Sequence, residues 1–98
     1  MSVKILISRT CPHNREAELR QLLRPLRQLV PEQRGYISGE YLISVDHPGK
    51  VLTISSWLTQ EDWMLWYESE ARKRLQAQID AITDVTTEYE VFEHFSVI

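Results

Sequence analysis

Four aromatic side chains of this 98-residue chain crowd into one short stretch: Trp57, Trp63, Trp66 and Tyr67. Rings placed so densely either fill a core or wall a pocket for a flat apolar molecule. In the second case an indole N–H or phenol O–H fixes the guest's orientation. On a helix Trp63, Trp66 and Tyr67 share an arc of about 100°, so they face one neighbour together. His94 is the histidine placed to act as a base, since imidazole titrates close to neutral pH. Arg9, Arg72 and Arg74 are candidates to hold a carboxylate or an oxyanion. Tyr41 and Tyr89 are aromatics of predicted strands, suited either to a cleft or to packing between subunits. His13 and His47 fall in loops. Cys11 precedes a helix start, where a thiolate would be stabilised, yet a plain thiol fits it as well. No pair of histidines has metal-ligand spacing, so no metal is expected.

The elements that must position these groups follow from periodicity. In "VKILISR", Val3, Ile5 and Ile7 alternate with Lys4, Leu6 and Ser8, which predicts a strand. Asn14 is the predicted cap of a helix whose apolar stripe is Leu19, Leu22, Leu23, Leu26, Leu29 and Val30. Pro25 should kink or split that helix, and Pro31 should stop it. "RGYISGEYLISV" and "VLTISSW" read as an antiparallel hairpin around the turn "DHPGK". In the first of these strands Ile37, Tyr41, Ile43 and Val45 share one side. Thr59 and Asp62 have the spacing of a capping box, so a helix should begin there and carry the aromatics. Ser69 caps a second helical piece. Its buried seam is expected to be Ala71, Leu75, Ile79 and Ile82, with Arg72, Lys73 and Arg74 in water. "TTEYEVFEHF" alternates again and closes the chain as a fourth strand.

The order β-α-β-β-α-β is ferredoxin-like, an α+β fold with an antiparallel sheet. Residues 1–98 are expected to form one domain. Apolar residues occur on both sides of several strands, so the sheet face without helices also needs cover. A twin subunit supplies it most simply, which predicts a homodimer. With 43% hydrophobic and 26% charged residues the chain suits a globular fold rather than a disordered one. A net charge of −3 offers no basic excess for phosphates, so no nucleic acid partner is expected. One cysteine makes no internal disulfide, and no apolar run has the length of a signal peptide or membrane span. A cytoplasmic protein away from membranes is therefore expected.

The arrangement, with "GYISGEYL", a strand ending in Trp57 and "DWMLWYESEARKRL", resembles the antibiotic biosynthesis monooxygenase family of the dimeric α+β barrels. The resemblance spans nearly the whole chain, although its motifs are loose. It implies a homodimeric barrel with helices outside and a cleft in each subunit between sheet and helices. Members of the family include cofactor-free oxygenases of aromatic polyketides, quinol monooxygenases and haem-degrading oxygenases. In the haem-degrading branch an asparagine on the first strand, a tryptophan after the third and a histidine beyond it form the site. Trp66 matches the tryptophan, whereas the asparagine position falls at or next to Ser8 and the histidine position at Gln76. Glutamine is a poor iron ligand, so haem degradation is not expected. What the resemblance implies instead is oxygenation of a small aromatic or quinol-like compound with no cofactor. Trp66, Tyr67, Trp63, Tyr41 and Ser8 would contact the substrate. His94 would take its proton and Arg9, where the cleft would open at the end of strand one, would stabilise the anion. The competing expectation is a dimeric barrel that binds or senses a small apolar or aromatic ligand without chemistry.

Overall fold

Alternating β-branched residues build the first strand, β1 (Val3–Thr10). In the computed structural model, which describes residues 1–95, Val3, Ile5, Ile7 and Arg9 are all buried on one side of it. The remaining elements are α1 (Glu16–Leu29), β2 (Tyr36–Ile43), β3 (Lys50–Trp57), α2 (Gln60–Tyr67), α3 (Glu70–Asp80) and β4 (Thr86–Glu93), with short 3-10 turns on either side of α1. The sheet has the order β2-β3-β1-β4 and every pairing is antiparallel. This is the predicted ferredoxin-like α+β architecture, with its second helix divided into α2 and α3.

Registry decides which side chains meet. Ile7 lies opposite Thr53 and Tyr89, and Arg9 opposite Val51 and Thr87. Directly opposed residues share a face, so these side chains all lie under the helices. Leu19, Leu23 and Leu26 of α1, Trp63 and Trp66 of α2 and Ile79 of α3 close over that face. The opposite face carries Leu6, Leu42, Leu52, Ile54 and Phe92 among serines and glutamates, and Phe92 is 44% exposed. None of the described helices lies on it.

Local rules account for most boundaries. Thr59 Oγ1 accepts from the Asp62 amide at 3.0 Å, and Ser69 Oγ accepts from the Arg72 amide at 3.2 Å, so both predicted caps form. Three expectations change. Asn14 does not cap α1; it lies within a 3-10 turn (His13–Arg15) that runs into the helix, whose first turn has no side-chain cap. Of the two outcomes expected at Pro25, a kink or a split, the split is absent, since α1 continues to Leu29. The inward stripe of α3 is Arg72, Gln76 and Ile79, while Ala71 is exposed. Packing overrides polarity there: the helix turns Arg72 and Gln76, not Ala71, toward the sheet.

Gly49 makes the β2–β3 turn possible. Its φ is +93°, and a Cβ there would lie 2.2 Å from the Cys11 carbonyl oxygen. The Cys11 amide in turn donates to the Gly49 carbonyl at 2.9 Å. Gly49→Ala is therefore expected to lower the free energy of unfolding by about 1–3 kcal/mol, read from the midpoint of a urea transition at unchanged slope.

Candidate functional site

Between the sheet and the helices lies a cavity lined by strand and helix side chains together. Ile7, Leu26 and Val30 supply aliphatic surface, and Trp57, Trp63 and Trp66 supply indoles. Thr53, Ser55, Tyr36, Tyr41, Arg9 and Arg72 bring the polar groups. Space for a water-sized sphere amounts to about 30 Å³, enough for ordered water, so a ring-sized guest requires the cavity to widen. Only three lining residues are not buried: Tyr36, Gly39 and Tyr41, all on the edge strand β2. The mouth thus opens along β2. It was expected at the end of β1.

The wall is an aromatic stack. Trp57 is fully buried and donates its indole N–H to Ser55 Oγ at 3.0 Å. Its ring meets Tyr36 edge-on with centroids 5.4 Å apart and Trp63 at 5.8 Å. Trp63 continues to Tyr67 at 5.5 Å, and Tyr67 meets Tyr89 edge-on at 5.2 Å. Tyr67 therefore belongs to the stack behind Trp63. It is not one of the lining residues, contrary to its expected role beside Trp66, because Trp63, Tyr89 and Arg72 take up its ring.

Two guanidinium groups stand in this wall. Arg9 is only 3% exposed. Its Nη2 donates to Gln76 Oε1 at 2.9 Å and its Nη1 to Thr53 Oγ1 at 3.5 Å, while the buried Nε has no partner among the described residues. Burial pushes its pKa down, but arginine starts so high that it stays charged. Arg72, 7% exposed, lies over the Tyr67 ring at 4.4 Å and donates to the Tyr67 carbonyl and, at 3.1 Å, to Tyr89 Oη. Every partner of both arginines is neutral. Gln76 is held by the rest of its amide, which donates to Asp80 Oδ1 at 2.9 Å and Thr87 Oγ1 at 3.3 Å.

The sequence-derived candidates divide. Arg9, Tyr41, Trp63 and Trp66 come together in the cavity. Ser8 does not: strand alternation turns it to the open face, beside Glu88 and Glu90. His94 lies beyond the last residue of β4 and is exposed, away from the lining. Cys11 is buried, and burial pushes its thiol pKa up, which favours the unreactive form. Among the described residues no three His, Cys, Asp or Glu converge as metal ligands, and no helix is long and apolar enough to cross a membrane.

Tyr36 was missed. Arg72, a candidate anion holder that was nonetheless expected in water, lines the cavity, and Gln76, noted only as the position of a histidine, stands behind it. Simple alternation puts Tyr36 and Tyr41 on opposite faces. A bulge between Tyr36 and Ser38 adds one residue and brings both to the helix side. The glycine in "GYISG" was the available signal: at Gly39 a Cβ would lie 2.5 Å from Tyr36 Oη. For Arg72 and Gln76 the signal was their spacing with Ile79, which is a helical stripe once polarity is ignored.

A sequence profile described as antibiotic biosynthesis monooxygenase matches residues 2–78. No curated protein matches the chain. Among solved structures, the fold is similar to SnoaB, a cofactor-independent oxygenase from Streptomyces nogalater, with a TM-score of 0.83 and 14% identity over 99% of this chain and 96% of that one. A Deinococcus radiodurans protein named for the same family gives a TM-score of 0.87 at 18% identity, covering 98% and 95%. Rv0793 from Mycobacterium tuberculosis gives 0.86 at 14%, covering 99% and 98%. At such identities these likenesses speak for the fold.

Gln76→Met keeps the length of the side chain but takes the carbonyl from Arg9. It is expected to destabilise the protein by about 1–3 kcal/mol, the cost of leaving a buried charged donor unpaired. Chemical denaturation measures it; an unchanged midpoint would mean that the Arg9–Gln76 bond contributes nothing.

Proposed function

The chain belongs to the antibiotic biosynthesis monooxygenase family, and on that premise we propose that it oxygenates a small aromatic or quinol-like compound in the sheet–helix cavity, without metal or flavin. The observation that carries this reading is the joining of indole walls to a buried, incompletely paired guanidinium. A phenolate or enolate is electron-rich enough to pass an electron to O2, and recombination forms the C–O bond. Where the reacting carbon is a CH2, CH2 and O2 become C=O and H2O, so the substrate supplies every electron. The protein's part is to exclude water, orient the ring and stabilise the anion. Trp63 and Trp66 would flank the ring, Tyr41 would meet it at the mouth and Arg9 would hold the oxyanion.

The narrowness of the cavity favours a second reading, a binding or sensing module without turnover. Under either reading the working unit is a homodimer, with the uncovered sheet face of Leu6, Leu42, Leu52, Ile54 and Phe92 as the surface between copies.

Oxygen uptake with a panel of quinols and anthrones tests the enzyme. Turnover is expected, with kcat/KM falling roughly tenfold to a hundredfold in Trp66→Ala as the ring loses its orientation. His94→Ala, remote from the cavity, is expected to retain wild-type uptake; its loss would restore the histidine as the base. Tight binding with no uptake by any member would favour the module. Light scattering after size exclusion is expected to return twice the 11.6 kDa chain mass, and Phe92→Glu to return the single mass.

A further inference from the structure

The cavity holds two cations and no base. No Asp, Glu or His is among its lining residues. From β2, Tyr36 and Tyr41 are the titratable groups; burial pushes both phenol pKa values up, so near neutral pH they donate hydrogen bonds and take no proton. From β1 and α3 come Arg9 and Arg72. Behind the wall, β4 contributes Tyr89, α2 contributes Tyr67, and the Asp80 carboxylate is spent on the Gln76 amide. At the mouth the α1 guanidinium of Arg27 lies 5.5 Å from the Tyr41 ring centroid. The α1 and β3 residues that line the cavity, Leu26, Val30, Thr53, Ser55 and Trp57, carry no charge. A proton on the ligand thus has no acceptor at the site, while a negative charge has two buried partners.

We propose that the cavity is an anion site that takes its planar ligand as the phenolate or enolate, with Arg9 and Arg72 replacing a general base. The O–H proton goes to solvent at the β2 mouth as the ligand binds. Among the described residues Arg9 Nε has no hydrogen-bond partner, and Arg72 makes its side-chain bonds to Tyr67 and Tyr89 through Nε and Nη1. An opposite charge at this range lowers the pKa of an acid by about 1–3 units. Affinity for a phenol therefore rises with pH between its bound and free pKa values and levels off above the free one. This deepens the function proposed above: it rests on the same cavity being the ligand site, but not on the oxygenation step.

4-Nitrophenol is a suitable probe, because its phenolate alone absorbs in the visible and the cavity tryptophans report its binding by fluorescence quenching. Held about one unit below its free pKa, it should gain phenolate absorbance as protein is added. Neutral 4-nitrotoluene should bind at least about tenfold more weakly, the equivalent of one pKa unit of discrimination. Arg9→Met and Arg72→Met should each return part of the bound pKa toward the free value. Arg9→Gln and Arg72→Gln serve if circular dichroism finds a methionine variant unfolded. Equal affinity for the two probes, a bound pKa at or above the free one, or no quenching by either probe would overturn the proposal. Phenolate binding without oxygen uptake by any substrate would leave the anion site standing and sink the monooxygenase.

Discussion

Arg9 sits where an alternating strand would ordinarily place another valine or isoleucine, and much of the interior is arranged around it. Moving a cation out of water costs several kcal/mol even after relaxation. The offset comes from Gln76 on α3 and Thr53 on β3. Gln76 is itself tied to Asp80 on its own helix and to Thr87 on β4. One buried charge thereby joins three strands and a helix. It also fixes how α3 is rotated about its axis, because Gln76 must point inward. Arg72, one turn earlier, is then carried to the same side, and Ile79 follows one turn later.

That rotation explains the aromatic stack. Once Arg72 is inside, its guanidinium needs partners that do not require a second buried charge. The Tyr67 ring, the Tyr67 carbonyl at the end of α2 and the Tyr89 hydroxyl provide them. Tyr67 is thus drawn away from the cavity and toward Arg72, while Trp66 remains on the lining. The break between α2 and α3 at Glu68–Ser69 contributes, since it frees the last carbonyls of α2 while Ser69 caps the next helix. Polar and aromatic interactions here are coupled parts of one arrangement.

The architecture could be read from the sequence because its signals are local. Strand alternation in β1, the leucine stripe of α1, the turn before Gly49 and the Thr59 and Ser69 caps each depend on a few neighbouring residues. Trp63 and Trp66 could be read for the same reason. What escaped depends on distant packing. The β2 bulge reverses the expected side of Tyr36, and only the Gly39 contact explains why the chain accepts it. Arg72 and Gln76 lie on a helix of low mean hydropathy, where a reading by polarity puts them in water and chooses Ala71 instead. The histidine at 94 drew attention by its chemistry, but its place past the end of β4 leaves it outside the cavity.

An unpaired cation inside an apolar core weakens the empty protein. Replacing such groups by well-packed apolar residues is often neutral or stabilising, so stability alone gives no reason for a cation at this position. Tyr36 and Tyr41, half-buried side chains on an edge strand, stand at the mouth of the cavity. The exposed apolar residues Leu42 and Phe92 lie on the opposite side of the sheet. A second subunit covering that face would stiffen the floor of the cavity, and the opening beside Gly39 lies on the helix side. Assembly and ligand binding as proposed would therefore use separate surfaces, and β1 would serve both: Leu6 lies on the open face and Arg9 on the cavity side.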